Sequence, residues 1–268
     1  MRYDRANRKI SRLEERVAEL STLNRTLETD QLHVKQVLDS TMHEVRRFSL
    51  ELSADAERLS KFLQGADQAA RELCDTIFYT SGMISSRMGF TDLELNPSAV
   101  SLQSLVRAGI YKKFDKAARV LAIRSRARSI PVRFNGTSFV EISALPSFDL
   151  VPFVILENAI KYSPRDQAVA VNFASIDRGV RVSVSSLGPL VEKDELPKIF
   201  DRGNRGRNAE RVAVSGEGLG LYLAKFLCDF HDIEICAKSG PEVGVSLNGI
   251  PYATFEVMMG VNGDNGRS

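Results

Sequence analysis

The stretch LENAIKYSP, residues 156–164, places three chemically useful side chains on one face of a predicted helix. Asn158, Lys161 and Tyr162 are three and four residues apart, so they share that face, and Pro164 ends the helix. Together they offer a carbonyl oxygen for a hard cation, an ammonium for a phosphate and an aromatic ring for a base. Taken alone, the triplet also fits an ordinary exposed helix end.

The residues around this helix, 97–268, predict an α+β domain. Short runs of β-type residues bounded by turn signals alternate with amphipathic stretches, and the turn Asn135-Gly136 predicts a hairpin. Mostly antiparallel strands with helices on one side indicate an α/β sandwich. The predicted strands are 132–134, 139–142, 169–173, 180–185, 233–237, 243–247 and 255–259, and the predicted helices are 102–114, 148–162 and 219–230.

The first 96 residues contain no proline and predict long helices. Alternating steps of three and four from Ile10 to Leu52 give thirteen positions, of which ten are apolar. This 3.5-residue period indicates a coiled coil, and Asn24 at an a position favours two strands in fixed register. The alternative is a single amphipathic helix packed on its own domain, which a period of 3.6 would suit better.

A second helical pattern begins after Gly65, a residue type that commonly ends helices. Two helices joined there form a hairpin, and two hairpins in a homodimer form a four-helix bundle. A turn near residues 53–55 is the alternative. We therefore predict a coiled coil over residues 1–40, a helical hairpin over 41–96 and the α+β domain over 97–268, joined by a linker at about 93–101. His43 takes position f of the heptad and faces solvent, as an ordinary surface histidine would.

Three further segments of the C-terminal domain carry chemical signals. Ser186 to Leu190 reads as a strand end entering a tight turn, and 196–200 is followed by a basic stretch over 201–211. The segment GEGLGL, residues 216–221, is rich in glycine and opens a helix, where backbone N–H groups can approach phosphates. It is not a dinucleotide fingerprint, because Leu221 stands where that motif needs glycine.

In this order and spacing, the four segments resemble the N, G1, F and G2 boxes of sensor histidine kinases, within the superfamily that includes gyrase and MutL. The block His43-Glu44-Val45-Arg46, upstream of Asn158, resembles the histidine box of their dimerisation and phosphotransfer domain. The resemblance covers about residues 10–260. It implies an ATP-binding domain at 97–268, a phosphotransfer hairpin at 41–96, and a homodimer that passes a phosphoryl group to the receiver domain of a response regulator.

The same resemblance assigns roles to individual residues. His43 is the expected phosphoacceptor, and Glu44 orients or deprotonates its imidazole. Asn158 is the expected Mg²⁺ ligand, with Lys161 at the phosphates of ATP and Tyr162 against adenine. The other residues expected to bind the nucleotide are Ser186 and Gly188 at the base, Phe200 as the lid anchor, Arg202 or Arg205 at the γ-phosphate, and Gly216, Gly218, Gly220 and Leu221 at the phosphate-facing end of the lid.

Several positions depart from the family's pattern. Ser186 replaces the aspartate that normally faces the adenine amino group, and an uncharged hydroxyl makes a hydrogen bond about half as strong as a charged group does. Phe48 stands in place of the usual proline of the histidine box. Arg47 stands where a threonine or asparagine often supports phosphatase activity.

Three other functions compete with this interpretation. An ATPase of the gyrase or MutL kind needs a water-activating glutamate four residues before Asn158, and that residue is Val154. A degenerate kinase that signals as a nucleotide-gated dimeric scaffold is the non-enzymatic alternative, supported by Ser186. A nucleic-acid binder would use the basic run 112–128, but few aromatic residues interleave it, and a solvated or regulator-docking face is the better interpretation.

Composition excludes several classes of protein. Lys and Arg number 36 against 34 Asp and Glu, so bulk charge requires neither a nucleic acid nor a membrane surface as partner. The three cysteines fit no disulfide framework or zinc pattern, and no segment suggests a signal sequence or membrane insertion. We expect a cytoplasmic protein whose input arrives through the coiled coil, through a separate sensor protein or from an upstream segment.

Overall fold

A computed structural model of the protein describes residues 2–62, 68–95, 104–212 and 218–263. The chain forms two compact units, Met1–Phe48 and Ser49–Ser268. The predicted boundaries were 40 and 96, whereas residues 49–95 group with the C-terminal unit. The reason is that the helix Gln68–Leu95 packs against the helix Ile110–Val120 and against the 3₁₀ turn Pro146–Asp149.

Two long helices open the chain, α1 (Arg2–Phe62) and α2 (Gln68–Leu95). The helix α1 contains neither glycine nor proline and runs without interruption past residues 53–55, which excludes the alternative turn there. Gly65 lies outside the described residues. The Ser49 hydroxyl donates to the Ser81 carbonyl and accepts from the Ser85 hydroxyl at 3.1 Å, and Ser53 also contacts Ser81. These contacts join the last turns of α1 to α2 as an antiparallel pair.

The rest of the chain combines helices with a mixed sheet, as predicted in outline. The five-stranded sheet has the order β2-β4-β5-β7-β6, in which β2 and β4 are parallel and the other pairs antiparallel. A small antiparallel sheet pairs β1 with β3. The strands are β1 (Val106–Gly109), β2 (Val132–Asn135), β3 (Glu141–Ala144), β4 (Val169–Ile176), β5 (Gly179–Pro189), β6 (Glu234–Leu247) and β7 (Ile250–Asn262). The helices are α3 (Ile110–Val120), α4 (Ala122–Ala127), α5 (Leu150–Tyr162), α6 (Arg207–Val212) and α7 (Gly220–Phe230), with 3₁₀ turns at Pro146–Asp149 and Leu196–Lys198.

The core lies between the sheet and the pair α5 and α7. These helices pack on each other, α5 lies on β5 and β4, and α7 lies on β6. Apolar residues run all round α5, which is why the helix is buried on most of its surface. Its buried apolar residues include Val151, Val154, Ile155, Leu156, Ala159 and Ile160. The side chains that α5 directs into the site therefore stand on a rigid support.

Three predicted elements were wrong in detail. The Asn135-Gly136 hairpin does not form, because β2 pairs with β4 and β3 pairs with β1. Gly136 has φ +78°, and a Cβ there would lie 2.5 Å from the Phe173 carbonyl oxygen, so glycine lets this loop pass close to β4. The helix predicted over 102–114 begins only at Ile110, since Val106–Gly109 pairs with β3.

The third correction concerns the strands predicted over 233–237 and 243–247, which form one continuous strand, β6. Its pairing with β7 shifts register between Ser239 and Glu242 and again between Glu242 and Ser246. The bulges accommodate Gly240, Pro241 and Gly244 within the strand, and β6 lies at the edge of the sheet, where proline is tolerated. Across the described ranges, no helix has a segment apolar enough to cross a membrane.

Candidate functional site

A cavity of about 860 Å³ lies in the C-terminal unit beside α5. Its walls come from α5, the end of β5, the segment 204–209, the first residues of α7 and one face of α2. The predicted site residues that line it are Asn158, Lys161, Tyr162, Ser186, Gly188, Arg205, Gly218, Gly220 and Leu221. Segments more than 60 residues apart in sequence therefore converge on one cavity.

One end of the cavity is built from Asn158 and the start of α7. A Cβ placed on Gly220 would lie 3.5 Å from Asn158 Nδ2 and 4.0 Å from its Oδ1, so the amide stands directly beside the first turn of α7. Leu219, at the N-cap, carries no side-chain oxygen that could accept from the first N–H groups of α7. Those donors, together with the helix dipole, favour an anion at this end.

Gly218 allows the chain to enter α7 in this position. Its φ is +69°, and a Cβ there would lie 2.6 Å from the carbonyl carbon of Gly203 and 2.7 Å from the carbonyl oxygen of Asn204. The Gly203 N–H donates to the Gly218 carbonyl at 3.2 Å. Only glycine meets both requirements, which gives the second glycine of the GEGLGL segment a steric reason. Gly216 lies outside the described residues.

Charged side chains of the lining are mostly basic. Lys161 and Arg205 line the cavity, and Lys161 Nζ lies 5.2 Å from the centroid of the Tyr162 ring. Arg124 also lines it and donates to Glu157 at 2.6 Å. The described lining therefore has three cations and one carboxylate, a balance that suits a polyanionic ligand. Arg202, the alternative to Arg205, instead lies 6.0 Å from the Tyr222 ring and outside the lining.

The end of β5 places the hydroxyl of Ser186 in an otherwise apolar part of the cavity wall. Ser186 is only 7% exposed, and Gly188 and Pro189 continue the wall. The neighbouring lining is apolar and consists of Val184, Val191, Ile199, Phe255 and Val257. The Ser163 hydroxyl donates to the Leu187 carbonyl at 3.1 Å, which ties the end of α5 to this strand. Such walls fit the flat, largely apolar faces of a heterocyclic base.

Phe200, like Arg202, is a predicted binding residue in the described part of this domain that does not line the cavity. It is half-buried and packs against the hydrophobic core, while its neighbour Ile199 reaches the cavity wall. The basic stretch 201–211 is held to the preceding segment by Arg207. Arg207 bonds Asp194 at 3.0 Å and Glu195 at 3.2 Å, and Glu195 accepts from the Arg207 backbone N–H at 2.7 Å. Partial burial tends to raise the pKa of Glu195, but its bonds to Arg207 and to the Glu192 backbone N–H together lower it.

Sequence analysis placed Arg128 only in the basic run 112–128 and did not connect it with the site. Its guanidinium donates to the carbonyl oxygens of Ile160 at 2.8 Å, Lys161 at 2.6 Å and Ser163 at 2.8 Å. These are carbonyls that the end of α5 leaves without helical partners. Arg128 therefore fixes the turn that carries Lys161 and Tyr162. More than 30 residues separate the partners, so no local pattern marks this contact.

The helix α2 was also missed as part of the site. Thr80, Met83, Ile84 and Met88 line the cavity, and Met83 belongs to the same buried core as α5. Their helical spacing was visible in the sequence, but it was interpreted as packing within a helical hairpin. Arg126 in α4 also donates a hydrogen bond to Glu72 of α2 at 2.9 Å, which connects α2 to α4.

The histidines differ in what the structure describes. His43 and Glu44 lie within α1, and their side chains are outside the described residues. Both ring nitrogens of His231 are engaged, because Nε2 accepts from the Leu145 N–H at 3.0 Å and Nδ1 lies 2.6 Å from the Leu227 carbonyl oxygen. Burial lowers the pKa of His231. A neutral ring bonded at both nitrogens serves structure and is not a nucleophile.

The donors at the α7 end fit a magnesium ion carried by phosphates. Asn158 Oδ1 is a hard oxygen ligand, and no group of three or more His, Cys, Asp or Glu side chains suited to a metal occurs in the described parts of the chain. Mg²⁺ usually keeps several waters and binds through one or two protein oxygens plus the phosphates of its substrate. A single amide oxygen beside an anion site matches that mode.

Comparison with known proteins agrees with this geometry. Residues 150–251 match the family described as histidine kinase-, DNA gyrase B- and HSP90-like ATPase. The sensor-like histidine kinase SenX3 of Mycobacterium tuberculosis is 31% identical over 191 residues, 71% of this chain and 44% of that protein. The histidine-protein kinase BaeS of Escherichia coli is 30% identical over 93 residues, 35% of this chain and 20% of that protein.

Among solved structures, a mycobacterial sensor histidine kinase, MprB, aligns with a TM-score of 0.47 and 19% identity, covering 59% of this chain and 99% of that one. The chain spans about a fifth to a half of the length of the curated relatives it matches. The family match covers α5, the end of β5, the start of α7 and thus most of the cavity wall. Residues 150–251 therefore match the histidine kinase-, DNA gyrase B- and HSP90-like ATPases, and the curated relatives that resemble this part of the chain include sensor histidine kinases.

Proposed function

We propose that this protein is a sensor histidine kinase that binds ATP with Mg²⁺ in the cavity and transfers the γ-phosphoryl group to its own His43. The observation that carries the proposal is the meeting of Asn158, Lys161, Arg205 and the first turn of α7 in one cavity. From His43 the phosphoryl group would pass to an aspartate in the receiver domain of a response regulator. The free cysteines Cys74, Cys228 and Cys236 suit the reducing cytoplasm, where ATP is abundant.

Binding is the part of the activity that the described residues support most directly. The N–H groups that open α7 and the Lys161 ammonium attract the phosphates, and Arg205 adds a third source of positive charge. Asn158 supplies the protein oxygen for Mg²⁺, which would offset charge on the transferring group. The apolar wall around Ser186 and Gly188 takes the base. Catalysis of phosphoryl transfer depends mainly on such positioning and charge neutralisation.

The transfer step uses His43 as the nucleophile. A neutral imidazole nitrogen attacks the γ-phosphorus in line, a P–N bond forms, and the bond from phosphorus to the β,γ-bridging oxygen breaks. ADP leaves with the electron pair, and the proton of the imidazole passes to Glu44. An imidazole needs little activation, because its ordinary pKa already lies near neutrality. Glu44 follows His43 directly in the helix α1, which is the basis for assigning it this role.

A parallel homodimer through residues 10–64 is part of the proposal. The heptad residues are exposed along the N-terminal unit of α1, with Leu13 at 58%, Val17 at 65% and Leu20 at 55%. Such a continuous apolar seam at a 3.5-residue period is typical of a helix that pairs with a second helix of the same kind. A separate sensor protein would deliver its signal through this seam.

Calorimetry with Asn158→Ala tests the nucleotide site. We expect ATP to bind the wild-type chain in a Mg²⁺-dependent manner and the variant to lose that dependence while keeping its fold. Asn135→Ala is the matched control, because Asn135 is exposed and bonds Asn172 at 2.8 Å outside the cavity. An Asn158→Ala variant that is folded and binds ATP with unchanged Mg²⁺ dependence would show that Asn158 does not hold the ion.

Labelling with γ-labelled ATP tests the acceptor. His43→Gln should keep the dimer and ATP binding yet lose the acid-labile label, whereas His33→Gln and His231→Gln should retain most of it. His231 needs testing because Asp232 follows it as Glu44 follows His43. Label that persists in His43→Gln would place the phosphoryl group elsewhere.

The second candidate function is a nucleotide-gated dimeric scaffold without phosphotransfer. It is favoured by Ser186, where the family normally has an aspartate at the base. Wild-type protein that binds ATP with Mg²⁺ but acquires no label would select this function over the kinase.

A further inference from the structure

We propose that the cavity does not select adenine, and that it binds nucleoside triphosphates with a 6-amino or a 6-oxo purine about equally well. The inference rests on the proposed nucleotide site and concerns which base that site takes. It comes from the hydrogen-bonding capacity of the side chains in the described lining.

The described lining holds one side chain that can only accept hydrogen bonds. This is Glu157, and its Oε1 accepts from Arg124 at 2.6 Å, so an ion pair with that guanidinium already engages one of its two oxygens and offsets its charge. The remaining hydrogen-bonding side chains of the lining are cations, amides and hydroxyls. Amides and hydroxyls both donate and accept, and cations only donate. No described side chain is therefore reserved for an exocyclic amino group.

Ser186 is the polar group best placed for the base. It is 7% exposed within an apolar wall, and its hydroxyl makes no hydrogen bond to any described residue. The neighbouring Ser163 differs, because its hydroxyl already donates to the Leu187 carbonyl. A hydroxyl in the cavity wall that no protein group engages can donate to or accept from a group on the ligand.

The two kinds of purine present opposite patterns to this hydroxyl. Adenine offers the 6-amino donor and the N1 acceptor, whereas hypoxanthine offers the 6-oxo acceptor and the N1–H donor. A carboxylate would accept from the amino group and repel the oxo group. A hydroxyl rotates and bonds either edge with neutral hydrogen bonds of similar strength. The apolar neighbours Val184, Phe255 and Val257 pack against the ring in both cases.

Titration calorimetry of the full chain with Mg²⁺ and either ATP or inosine triphosphate tests the proposal. Inosine triphosphate is the sharper probe, because it exchanges the 6-amino for the 6-oxo group and adds no 2-amino group. We expect the two dissociation constants to agree within about 3-fold, the scale of exchanging one neutral hydrogen bond for another. An ATP preference above about 10-fold in the wild-type chain would overturn the proposal.

Two variants assign the effect to Ser186. Ser186→Asp should bind ATP more tightly and inosine triphosphate more weakly, so that their ratio rises by about 10-fold or more. Ser186→Ala should weaken the binding of both nucleotides alike, by about 2- to 12-fold. If Ser186→Asp does not fold, the Ser186→Ala measurement alone tests the role of Ser186. A loss in Ser186→Ala confined to one nucleotide would overturn the proposal. A wild-type chain that binds neither nucleotide would instead refute the nucleotide site itself.

Discussion

The N-terminal unit leaves apolar side chains of its helix exposed, whereas the C-terminal unit buries those of α5. In the first, the heptad residues of α1 are exposed, with Val34 at 65% and Leu27 at 52%. In the second, the apolar residues of α5 are buried, and Ile160 and Leu156 have no exposed surface. Both helices carry apolar residues, but those of α5 are covered within its own unit, whereas Leu27 and Val34 of α1 stay exposed.

Because of this difference, we expect the N-terminal unit to determine the oligomeric state and the C-terminal unit to determine nucleotide binding. A helix with an exposed seam depends on another chain, and its stability depends on protein concentration. A helix buried in its own domain depends on neighbours that the sequence carries itself. Substitutions in the α1 seam should therefore change the oligomeric state and spare the cavity, and substitutions around the cavity should do the reverse.

The largest effect is expected from Leu20→Asp, which would place a carboxylate in the apolar seam from each chain. Burying it would cost at least about 3 kcal/mol per dimer, or more than about 100-fold in the dissociation constant. Sedimentation at micromolar concentration should show monomers, with ATP binding unchanged. Thr22→Asp is the control, because position f lies away from the seam, and it should stay dimeric. If the wild-type chain is itself monomeric, the coiled-coil prediction is wrong.

Gly218→Ala tests the C-terminal unit, at the start of α7 beside the cavity. The added methyl meets the Gly203 and Asn204 backbone at 2.6–2.8 Å and also forces a side chain into positive φ, so the start of α7 must shift. We expect ATP binding at least about 10-fold weaker and a loss of about 2–4 kcal/mol in the free energy of unfolding. Calorimetry and urea unfolding measure the two effects.

Gly203→Ala is the matched control for this variant. Gly203 also has positive φ, +74°, but a Cβ there would meet nothing within 4 Å. Its cost should be that of the backbone alone, about 1–2 kcal/mol, with ATP binding nearly unchanged. Equal effects of the two substitutions would mean that the contact at Gly218 does not hold the start of α7.

The sequence predicted the elements whose signal is local. The heptad period of α1, the helical position of α5 and the glycine-rich start of α7 follow from residues close together in the chain. The structure confirms the long helix α1, the helix α5 within two residues, and α7. The alternation of β4 and β5 was also sufficient to place both strands. In the cavity, Asn158, Lys161 and Tyr162 share a face because helical geometry requires it.

Other features depend on partners distant in sequence. The pairing of β2 with β4 and of β3 with β1 replaces a hairpin that Asn135-Gly136 would favour locally, and only tertiary packing decides between them. The wall supplied by α2 and the contacts of Arg128 join residues that are more than 30 positions apart. The roles of His43 and Glu44 and the dimer stay predictions.

Arg128→Ala should produce a moderate effect on the cavity unit. It removes three hydrogen bonds to carbonyl oxygens at the end of α5, and a charged donor to such groups is worth about 1.5–3 kcal/mol. Urea unfolding should show a loss in this range, and ATP should bind several-fold more weakly because Lys161 and Tyr162 lose their support. Arg126→Ala is the control, since its pair with Glu72 is exposed and should contribute little to stability. If both variants behave alike, Arg128 does not position α5.

The smallest effect should be a pH dependence of unfolding that arises at His231. Burial lowers the pKa of this imidazole, and this outweighs its bond to the Leu227 carbonyl and the charge of Asp232, which raise it. The unfolded chain therefore binds a proton first as the pH falls through about 6.5, the ordinary value, and stability declines from there. Glu195 has a lowered pKa, so its contribution is lost only at pH values below about 4.5.

Urea unfolding at pH 7.5, 6.5 and 5.5 isolates the histidine. The wild-type free energy of unfolding should fall across this range, because a proton on Nε2 would remove the acceptor of the Leu145 N–H and place a charge between the rings of Phe148 and Phe230. His231→Gln should be less stable at pH 7.5 but should show a flatter dependence on pH. The dimer, which depends on α1, should be unaffected in the same samples. A slope that is identical in wild type and His231→Gln would show that His231 does not cause the pH dependence.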